Sequence, residues 1–228
     1  MFSRIQKFDD IVLEKITRLH RPTLNRIMRV VTHMGTAGVV WFLIAIPFFF
    51  TRMGRIVGTN MVMGLSITHV MGEILIKHIV CRERPCHKLE DEDQIIDRPK
   101  YYSFPSGHSA SSFCMAMITF LRCRWYIFLP VLILASAIAF SRLYLRVHYL
   151  TDILVGILIG LICGGASVSL VNYVYFDLTY NIMKHANPTV ASGMPMAFEH
   201  IVTELIVWSI VAVIGLLLIY FFHRRNKP

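Results

Sequence analysis

The fold is decided by residues 125–173, WYIFLPVLILASAIAFSRLYLRVHYLTDILVGILIGLICGGASVSLVNY. Two apolar runs lie in this stretch, Trp125–Tyr144 and Thr151–Tyr173, with a short polar segment between them. A bilayer core about 30 Å thick needs about 20 mostly apolar residues in each helix that crosses it. Both runs meet that length, so we predict two membrane-spanning helices joined by a short polar loop.

Four other apolar stretches lie outside this pair, at about Arg26–Phe50, Val57–Val80, Ser106–Leu121 and Phe198–Phe222. The stretch Ser106–Leu121 is short for a span, so its first turns are expected in the head-group layer. The sequence therefore predicts an all-α protein, a polytopic membrane helical bundle of about six transmembrane helices. Residues 1–228 are expected to form a single membrane-embedded domain.

The composition excludes a soluble globular protein. Of the 228 residues, 55% are hydrophobic and only 16% are charged, and the mean hydropathy is +0.57. A soluble domain of this composition would aggregate. The formal net charge of +9 suits an anionic partner, but nucleic acid fits poorly with so much lipid-facing sequence. We expect the phospholipid bilayer and a membrane lipid phosphate as partners, and no nucleic acid; the sequence carries no signal for the oligomeric state.

An interfacial amphipathic helix is predicted before the first span, at about residues 4–21. Its apolar side chains recur at helical spacing and its charged side chains take the other faces. The apolar set is Ile5, Phe8, Val12, Leu13, Ile16 and Leu19, and the charged set is Lys7, Asp10, Glu14, Lys15 and Arg18. We expect this helix to lie along the membrane as a surface anchor without a chemical role.

The five cysteines form neither a paired CxxC motif nor a disulfide-dense pattern. Three lie in or beside apolar runs and are expected to be packing residues: Cys114, Cys123 and Cys163. Cys81 and Cys86 flank a charged loop, where an oxidising compartment would allow a bridge. A zinc site built from these two and His87 lacks a second ligand pair, so no metal is predicted there.

The first polar cluster lies in residues 77–85, KHIVCRERP. Lys77 and Arg84 are seven residues apart, close to two helical turns, so they would point the same way if the helix continued through them. Two cations beside Pro85 would then converge on an anion. The alternative is that both side chains only reach the interface and attract lipid head groups.

The second cluster is Pro105-Ser106-Gly107-His108, where the third span begins. Ser106 or Ser103 could cap this helix, and Gly107 would let a ligand approach the backbone closely. The amides and dipole of a helix N-terminus favour an anion such as phosphate, and His108 can exchange a proton near neutral pH. Taken alone, however, the tetrapeptide also fits a plain capped helix start.

The third cluster is Ser141-Arg142 at the end of the fourth span, with His148 and Asp152 at the start of the fifth. On one helix, the spacing of four residues would place the Asp152 carboxylate under the His148 ring. A carboxylate that accepts a hydrogen bond from one ring nitrogen leaves the other unprotonated and able to attack phosphorus. The alternative is a pair that only stabilises the helix start.

Six spans would put all three clusters on one side of the membrane, because the chain returns to the same face after every even number of spans. Together the clusters supply the parts that phosphoryl transfer requires. Lys77, Arg84 and Arg142 would neutralise the phosphate oxygens, and amides near Ser106 and Gly107 would complete the phosphate site.

The two histidines then take complementary roles in this interpretation. We expect His148, oriented by Asp152, to attack phosphorus in line, and His108 on the opposite side to protonate the leaving oxygen and later to activate water. Three fixed cations would supply the charge that magnesium supplies elsewhere, so neither a metal nor another cofactor is expected.

These residues resemble a known family, the type 2 phosphatidic acid phosphatase superfamily. Lys77 to Pro85 matches its Lys, six residues, Arg-Pro motif; Pro105 to His108 matches its Pro-Ser-Gly-His motif; Ser141 to Asp152 matches its Ser-Arg, five residues, His, three residues, Asp motif. All three stand unsubstituted and in order across about a third of the chain. The resemblance implies a helical core, metal-independent phosphatase chemistry through a phosphohistidine, and the site roles given above.

The resemblance also implies the class of substrate and the location. In size and span count the chain looks like bacterial members that act on undecaprenyl diphosphate, phosphatidylglycerophosphate or lipid A, and phosphatidic acid is a further candidate. Such members imply an integral protein of the bacterial inner membrane with its catalytic face outside the cytoplasm. The positive-inside rule predicts the opposite, since 15 Lys and Arg residues outside the site lie on the catalytic side and 5 on the other.

Three other functions fit parts of the sequence. A metal-dependent phosphatase built on Asp91 and Asp93 is rejected because no buried strand precedes them, and the acidic run around them is expected to be a solvated cap. An intramembrane serine protease could use Ser109 in the sequence Gly-His-Ser together with His148, although it would have no use for three cations. A lipid-phosphate binding or transport protein would use the cations without cleaving the substrate.

Overall fold

The computed structural model describes residues 2–88 and 95–178 of the chain. Every regular element in those ranges is helical, as predicted. The described residues form eight α-helices: α1 (Phe2–Thr17), α2 (Pro22–Met34), α3 (Val39–Ala45), α4 (Arg52–His69), α5 (Lys77–Val80), α6 (Gly107–Arg122), α7 (Trp125–Tyr144) and α8 (Leu150–Asn172). Short 3-10 or π-helical segments connect or extend them: Thr36–Gly38, Ile46–Phe50, Val70–Ile76, Pro85–Lys88 and Tyr173–Leu178.

Within the described ranges, three helical stretches are long and apolar enough to cross a membrane: Gly54–Lys88, Trp125–Tyr144 and Leu150–Tyr175. They correspond to the second, fourth and fifth predicted spans. α6 begins and ends within one residue of the third predicted span, at 16 residues. The sixth predicted span, Phe198–Phe222, and the acidic run at residues 90–93 lie outside the described residues.

The first predicted span, Arg26–Phe50, is not one straight helix. α2 and the stretch Val39–Phe50 meet at a bend of 58°, and together they are long and apolar enough for a fourth crossing. Gly38 lies in the break with a φ of +70°. That left-handed conformation suits glycine and cannot continue a right-handed helix, so the chain turns there.

α6 is buried among its neighbours, since it packs against α4 and α7. Its fully buried side chains are Ser109, Ala110, Ser112, Cys114, Met115, Ile118 and Thr119. Cys114, Met115 and Ile118 join Trp41, Met61 and Ile138 in the main core cluster. This packing holds the first turn of α6, at Gly107 and His108, in a fixed place.

A ridge of three glycines brings α8 against the backbone of α6. Gly156, Gly160 and Gly164 recur every four residues and therefore share one face of α8. A Cβ added at Gly156 would lie 2.6 Å from the Ser106 carbonyl oxygen, and one at Gly164 would lie 2.8 Å from the Cys114 carbonyl oxygen. Small residues at this spacing allow two helix backbones to touch. The glycine ridge thus sets the N-terminal end of α8 beside the N-terminal end of α6.

α1 packs on the same end of the bundle. Leu13 is buried in a cluster with Tyr149 and Ile153, whereas Ile5 and Phe8 are exposed. The apolar stripe of α1 is therefore split between contacts with the bundle and a free apolar surface. That this helix lies in the membrane interface stays a prediction.

By its internal contacts the chain divides into two compact units, residues 1–168 and 169–228. All three polar clusters lie in the first unit. The described part of the second unit is helical and comprises the end of α8 and the π-helical segment Tyr173–Leu178.

Candidate active site

The three polar clusters lie together where α5, α6 and α8 meet. The Ser106 N–H donates to the backbone carbonyl of Asp152 at 3.0 Å, which joins the second cluster to the third. Arg84 Nη1 lies 3.0 Å from His148 Nε2, which joins the first cluster to the third. Loops distant in sequence thus form one buried polar site.

Lys77 lies at the start of α5 with its side chain almost fully buried. Its Nζ donates to both carboxylate oxygens of Glu73, at 2.6 and 2.5 Å. The Glu73 carboxylate also lies in the space that a Cβ on Gly107 would need. A carboxylate therefore occupies the place between Lys77 and the N-terminus of α6 where the sequence predicts a phosphate.

Arg84 does not share a helix with Lys77, so the helical spacing of seven residues does not place the two side chains on one face. α5 ends at Val80, and Cys81 follows in the left-handed conformation with a φ of +49°. The chain turns at that residue. Arg84 reaches the site through this turn, and its side chain is only 4% exposed.

Arg84 also determines which nitrogen of His148 carries the proton. Its Nη1 donates to the Val147 carbonyl oxygen at 3.0 Å and contacts His148 Nε2 at 3.0 Å. A guanidinium has only donors, so Nε2 must present a lone pair. The proton of the neutral ring is then on Nδ1, which lies 3.6 Å from Asp152 Oδ2. The unprotonated nitrogen points toward the cations.

His148 and Asp152 do not lie on one helix, contrary to the sequence interpretation. α8 begins at Leu150, two residues after His148. Asp152 is the third residue of the helix, and its Oδ2 accepts the Tyr149 N–H at 3.0 Å. This is the carboxylate half of a capping box. The carboxylate thus faces the ring because it caps the helix.

The surroundings of His148 keep its ring neutral. The residue lies between α7 and α8 and is 1% exposed. Burial, followed by the charges of Arg84, Arg142 and Lys77, holds the pKa of His148 well below its usual range. A neutral imidazole at neutral pH is what nucleophilic attack requires.

Ser106 caps α6, one of the two possibilities left open by the sequence. Its Oγ accepts the Ser109 N–H at 3.4 Å and the Ser109 hydroxyl at 2.9 Å. Ser103 instead donates to the Glu83 carbonyl oxygen at 3.3 Å. The cap places Gly107 and His108 in the first turn, with their amides at the positive end of the helix dipole.

Buried nitrogens in the site lack partners. Within the described parts of the chain, no hydrogen-bond acceptor meets His108 Nε2, Arg142 Nε or His148 Nδ1. Arg142 is held by a 2.6 Å hydrogen bond from its Nη1 to Thr32 Oγ1. Gly35 fits closely against His108, since a Cβ there would lie 2.8 Å from the ring. His108 Nε2 and Arg142 Nε can therefore meet a polar ligand, whereas His148 Nδ1 faces the Asp152 carboxylate.

Three charged residues at the site were missed by the sequence analysis: Asp9, Glu73 and Arg82. Glu73 precedes Lys77 by four residues, a spacing that indicates an ion pair on a helix. Asp9 follows Ile5 and precedes Leu13 by four residues, so it is a lone carboxylate inside the apolar stripe of α1. Arg82 carried no such signal, since it lies in a turn whose path the sequence does not fix.

The positions of the His, Cys, Asp and Glu side chains bear on a metal site or a disulfide. No group of three His, Cys, Asp or Glu side chains in the described ranges gathers closely enough to hold a metal ion. Cys81 is exposed and Cys86 is buried, and both are free thiols. The two cysteines are therefore not bridged in this structure.

The sequence of this chain is similar to those of known proteins. Residues 54–176 match the family model of the PAP2 superfamily. Phosphatidylglycerophosphatase B of Bacillus subtilis is 29% identical over 172 residues, which cover 69% of this chain and 80% of that protein. Undecaprenyl-diphosphatase of Sulfolobus acidocaldarius is 27% identical over 138 residues, covering 60% of this chain and 66% of that protein.

A solved structure has the same fold. The crystal structure of LpxE from Aquifex aeolicus superposes with a TM-score of 0.61 and 28% sequence identity. The superposition covers 69% of this chain and 92% of that one. The matched region includes more than half of this chain, and the family match contains all three polar clusters.

Proposed function

We propose, on the premise that this chain belongs to the PAP2 superfamily and is an integral-membrane lipid phosphatase, that it works through a phosphohistidine at His148. The observation that carries the proposal is the contact between Arg84 Nη1 and His148 Nε2. It directs an unprotonated ring nitrogen at a cation suited to bind phosphate. Nucleophile and phosphate site therefore coincide.

Substrate binding would begin with an exchange of anions. The phosphate takes the place of the Glu73 carboxylate at Lys77 and at the α6 amides of Gly107 and His108. Arg84 and Arg142 bind further phosphate oxygens. A dianion among these cations also favours a protonated His108, because it offsets their repulsion of a second positive charge.

Chemistry follows in two displacements. In the first, His148 Nε2 forms a bond to phosphorus, the bond from phosphorus to the lipid oxygen breaks, and that oxygen takes its electron pair and the His108 proton. In the second, water forms a bond to phosphorus while His108 takes its proton, and the bond to Nε2 breaks to release phosphate. The Asp152 carboxylate faces Nδ1 at 3.6 Å and stabilises the positive charge on the ring while the bond to phosphorus exists.

The finer assignments are also proposals. The substrate is a lipid phosphate monoester or a diphosphate, and the named activities of the relatives make phosphatidylglycerophosphate and undecaprenyl diphosphate the first to assay, with phosphatidic acid and lipid A next. We assign six spans, an interfacial α1 and a single domain over residues 1–228. The catalytic face is assigned to the outside of a bacterial inner membrane.

The test is phosphate release from these four lipids by the full chain in detergent with EDTA. We expect release that survives chelation and persists in Ser109→Ala. In His148→Ala we expect release to fall by about four orders of magnitude. Turnover retained in His148→Ala, with loss in Ser109→Ala, would refute the nucleophile and point to Ser109 instead. The Ser109 hydroxyl donates to Ser106 Oγ at 2.9 Å, which argues against that role.

The covalent intermediate can be trapped directly. His108→Ala lacks the group that activates water. With p-nitrophenyl phosphate, a substrate with a good leaving group, it should give a burst of nitrophenolate and an enzyme labelled with the substrate's phosphoryl group. Phosphohistidine is acid-labile and survives alkali, which separates it from phosphoserine. No label on His148, with release intact, would refute the intermediate. Lipid binding without release by the wild type would favour the binding or transport alternative.

A further inference from the structure

A chain of charged groups joins α1 to His148. Asp9 is fully buried, and a buried carboxylate is costly unless it is paired and hydrogen-bonded. Its Oδ2 accepts Arg82 Nη2 at 2.7 Å. The other half of the Arg82 guanidinium, Nη1, donates to Asp152 Oδ1 at 2.6 Å. One cation therefore bridges a carboxylate of α1 and the carboxylate that faces His148.

Asp9 also caps α8 from another helix. Its Oδ1 accepts the Thr151 N–H at 3.0 Å, and its Oδ2 accepts the Thr151 hydroxyl at 2.5 Å. The first-turn amides of a helix need acceptors from outside it, and the residue before Leu150 is Tyr149, which has no side chain suited to this. Asp9 thus fixes the turn of α8 that carries Asp152.

Arg82 is itself held firmly. It donates to Gln6 Oε1 at 2.7 Å, its guanidinium lies 3.9 Å above the Tyr149 ring, and its side chain is 18% exposed. With Arg82 on Oδ1 and the Tyr149 N–H on Oδ2, the Asp152 carboxylate has both oxygens bound. Its orientation toward His148 Nδ1 is therefore imposed by neighbours.

We propose that Asp9 and Arg82 are positioning residues that hold the Asp152 carboxylate toward His148, which makes α1 part of the active-site support. The inference rests on the proposed function of His148. Arg82 shares its charge between two carboxylates, so Asp152 keeps negative charge for the imidazole that becomes positive when the bond to phosphorus forms. Without the charge of Asp9, Arg82 would neutralise Asp152 more fully.

The test variant is Asp9→Asn, which keeps the shape of the side chain, and the matched control is Asp10→Asn at the exposed neighbouring position. With phosphatidylglycerophosphate and undecaprenyl diphosphate as probes, we expect kcat to fall about tenfold or more in Asp9→Asn with KM changed less than about twofold. Asp10→Asn should match the wild type. An unchanged kcat in Asp9→Asn would overturn the proposal.

A second comparison separates positioning from plain structural support. In the Asp152→Asn background there is no carboxylate left to position, so adding Asp9→Asn should change kcat less than about twofold. An equal loss in both backgrounds would mean that Asp9 acts on stability alone, and would overturn the proposal. Failure of the proposed function would be seen separately, either as no phosphate release by the wild-type protein or as undiminished phosphate release by His148→Ala.

Arg82→Lys provides an independent route if thermal unfolding shows that Asp9→Asn does not fold. Lysine keeps the charge but lacks the planar fork that bridges two carboxylates. We expect the same loss of kcat, about tenfold or more, with KM retained and with no further loss in the Asp152→Asn background. Wild-type kcat in Arg82→Lys would overturn the proposal as well.

Discussion

His148 illustrates how its neighbours set the chemistry of one residue. The ring is buried and surrounded by cations, which together depress its pKa. In the proposed mechanism only the neutral ring can attack phosphorus, so activity should be lost as pH falls through the depressed pKa. Because the ordinary histidine pKa is about 6.5, the acidic limb of the rate profile is expected below that pH.

The measurement is kcat/KM against pH for a lipid monophosphate in detergent. The second ionisation of the substrate phosphate lies near pH 6 and also affects the rate. Its pKa must be determined by phosphorus NMR on the same micelles, and its contribution must be removed from the rate profile. A residual acidic limb at or above pH 6.5 would contradict a depressed pKa for His148.

Arg84 yields a second prediction at this scale. It binds two backbone carbonyls and faces the His148 ring. Lysine would keep the positive charge but lose the planar guanidinium with its several N–H donors. The kcat/KM of Arg84→Lys should therefore fall by about two orders of magnitude or more. The exposed Arg98→Lys is the control and should retain wild-type kcat/KM. Near-normal turnover by Arg84→Lys would mean that charge alone suffices.

How far sequence can predict a site is visible in these residues. Lys77, Arg84, His148 and Asp152 could be selected because their residue types and spacing fit phosphate chemistry, and the structure brings them together. The local geometry was wrong for two pairs, since it assumed helix continuing through Cys81 and through His148. A left-handed turn and a cap decide those positions, and helical periodicity contains no information about either.

Among the elements, α6 and α8 depend on the glycine ridge. A methyl group at Gly160 would meet the Ala110 carbonyl oxygen, whereas one at Gly165 has its nearest neighbour, Met117 Cε, at 3.8 Å. Overpacking costs about 1–3 kcal/mol. We therefore expect Gly160→Ala to lower the thermal unfolding midpoint in detergent and to reduce kcat.

Gly165→Ala is the matched control on the same helix. It should leave stability unchanged or raise it slightly, because alanine favours helix over glycine by about 1 kcal/mol. Equal midpoints for the two variants would show that the close approach of α6 and α8 is not needed for stability.

The helices were predicted better than the bends within them and the contacts between them. The apolar lengths located Trp125–Tyr144 to the residue, because a span must be about as long as the bilayer is thick. The break near Gly38 was missed since an apolar run reads the same whether its helix is straight or bent. Close contact between α6 and α8 was also missed, because it depends on which face of α8 carries the glycines and on the partner that meets them.

For the whole molecule, a prediction concerns the side of the membrane on which the proposed site lies. Cys81 can report it, because among the five cysteines it is the exposed one and it lies between Lys77 and Arg84. With the assigned orientation, a membrane-impermeant maleimide should label Cys81 in intact spheroplasts. Cys81→Ser is the control and should show no labelling there.

Labelling only after the membrane is permeabilised would reverse the assignment, and would agree with the positive-inside count. α1 lies beside the proposed site whichever outcome is found, since Asp9 accepts hydrogen bonds from Arg82 and Thr151. α1 and the proposed site therefore lie at the same end of the helical bundle.

The glycine ridge has a consequence for the route by which a lipid reaches the site. Where two helix backbones touch along Gly156, Gly160 and Gly164, no methylene chain fits between them. If a lipid phosphate binds at the proposed site, its hydrocarbon tail therefore cannot leave between α6 and α8, and selectivity for tail length or branching is to be sought between other helices.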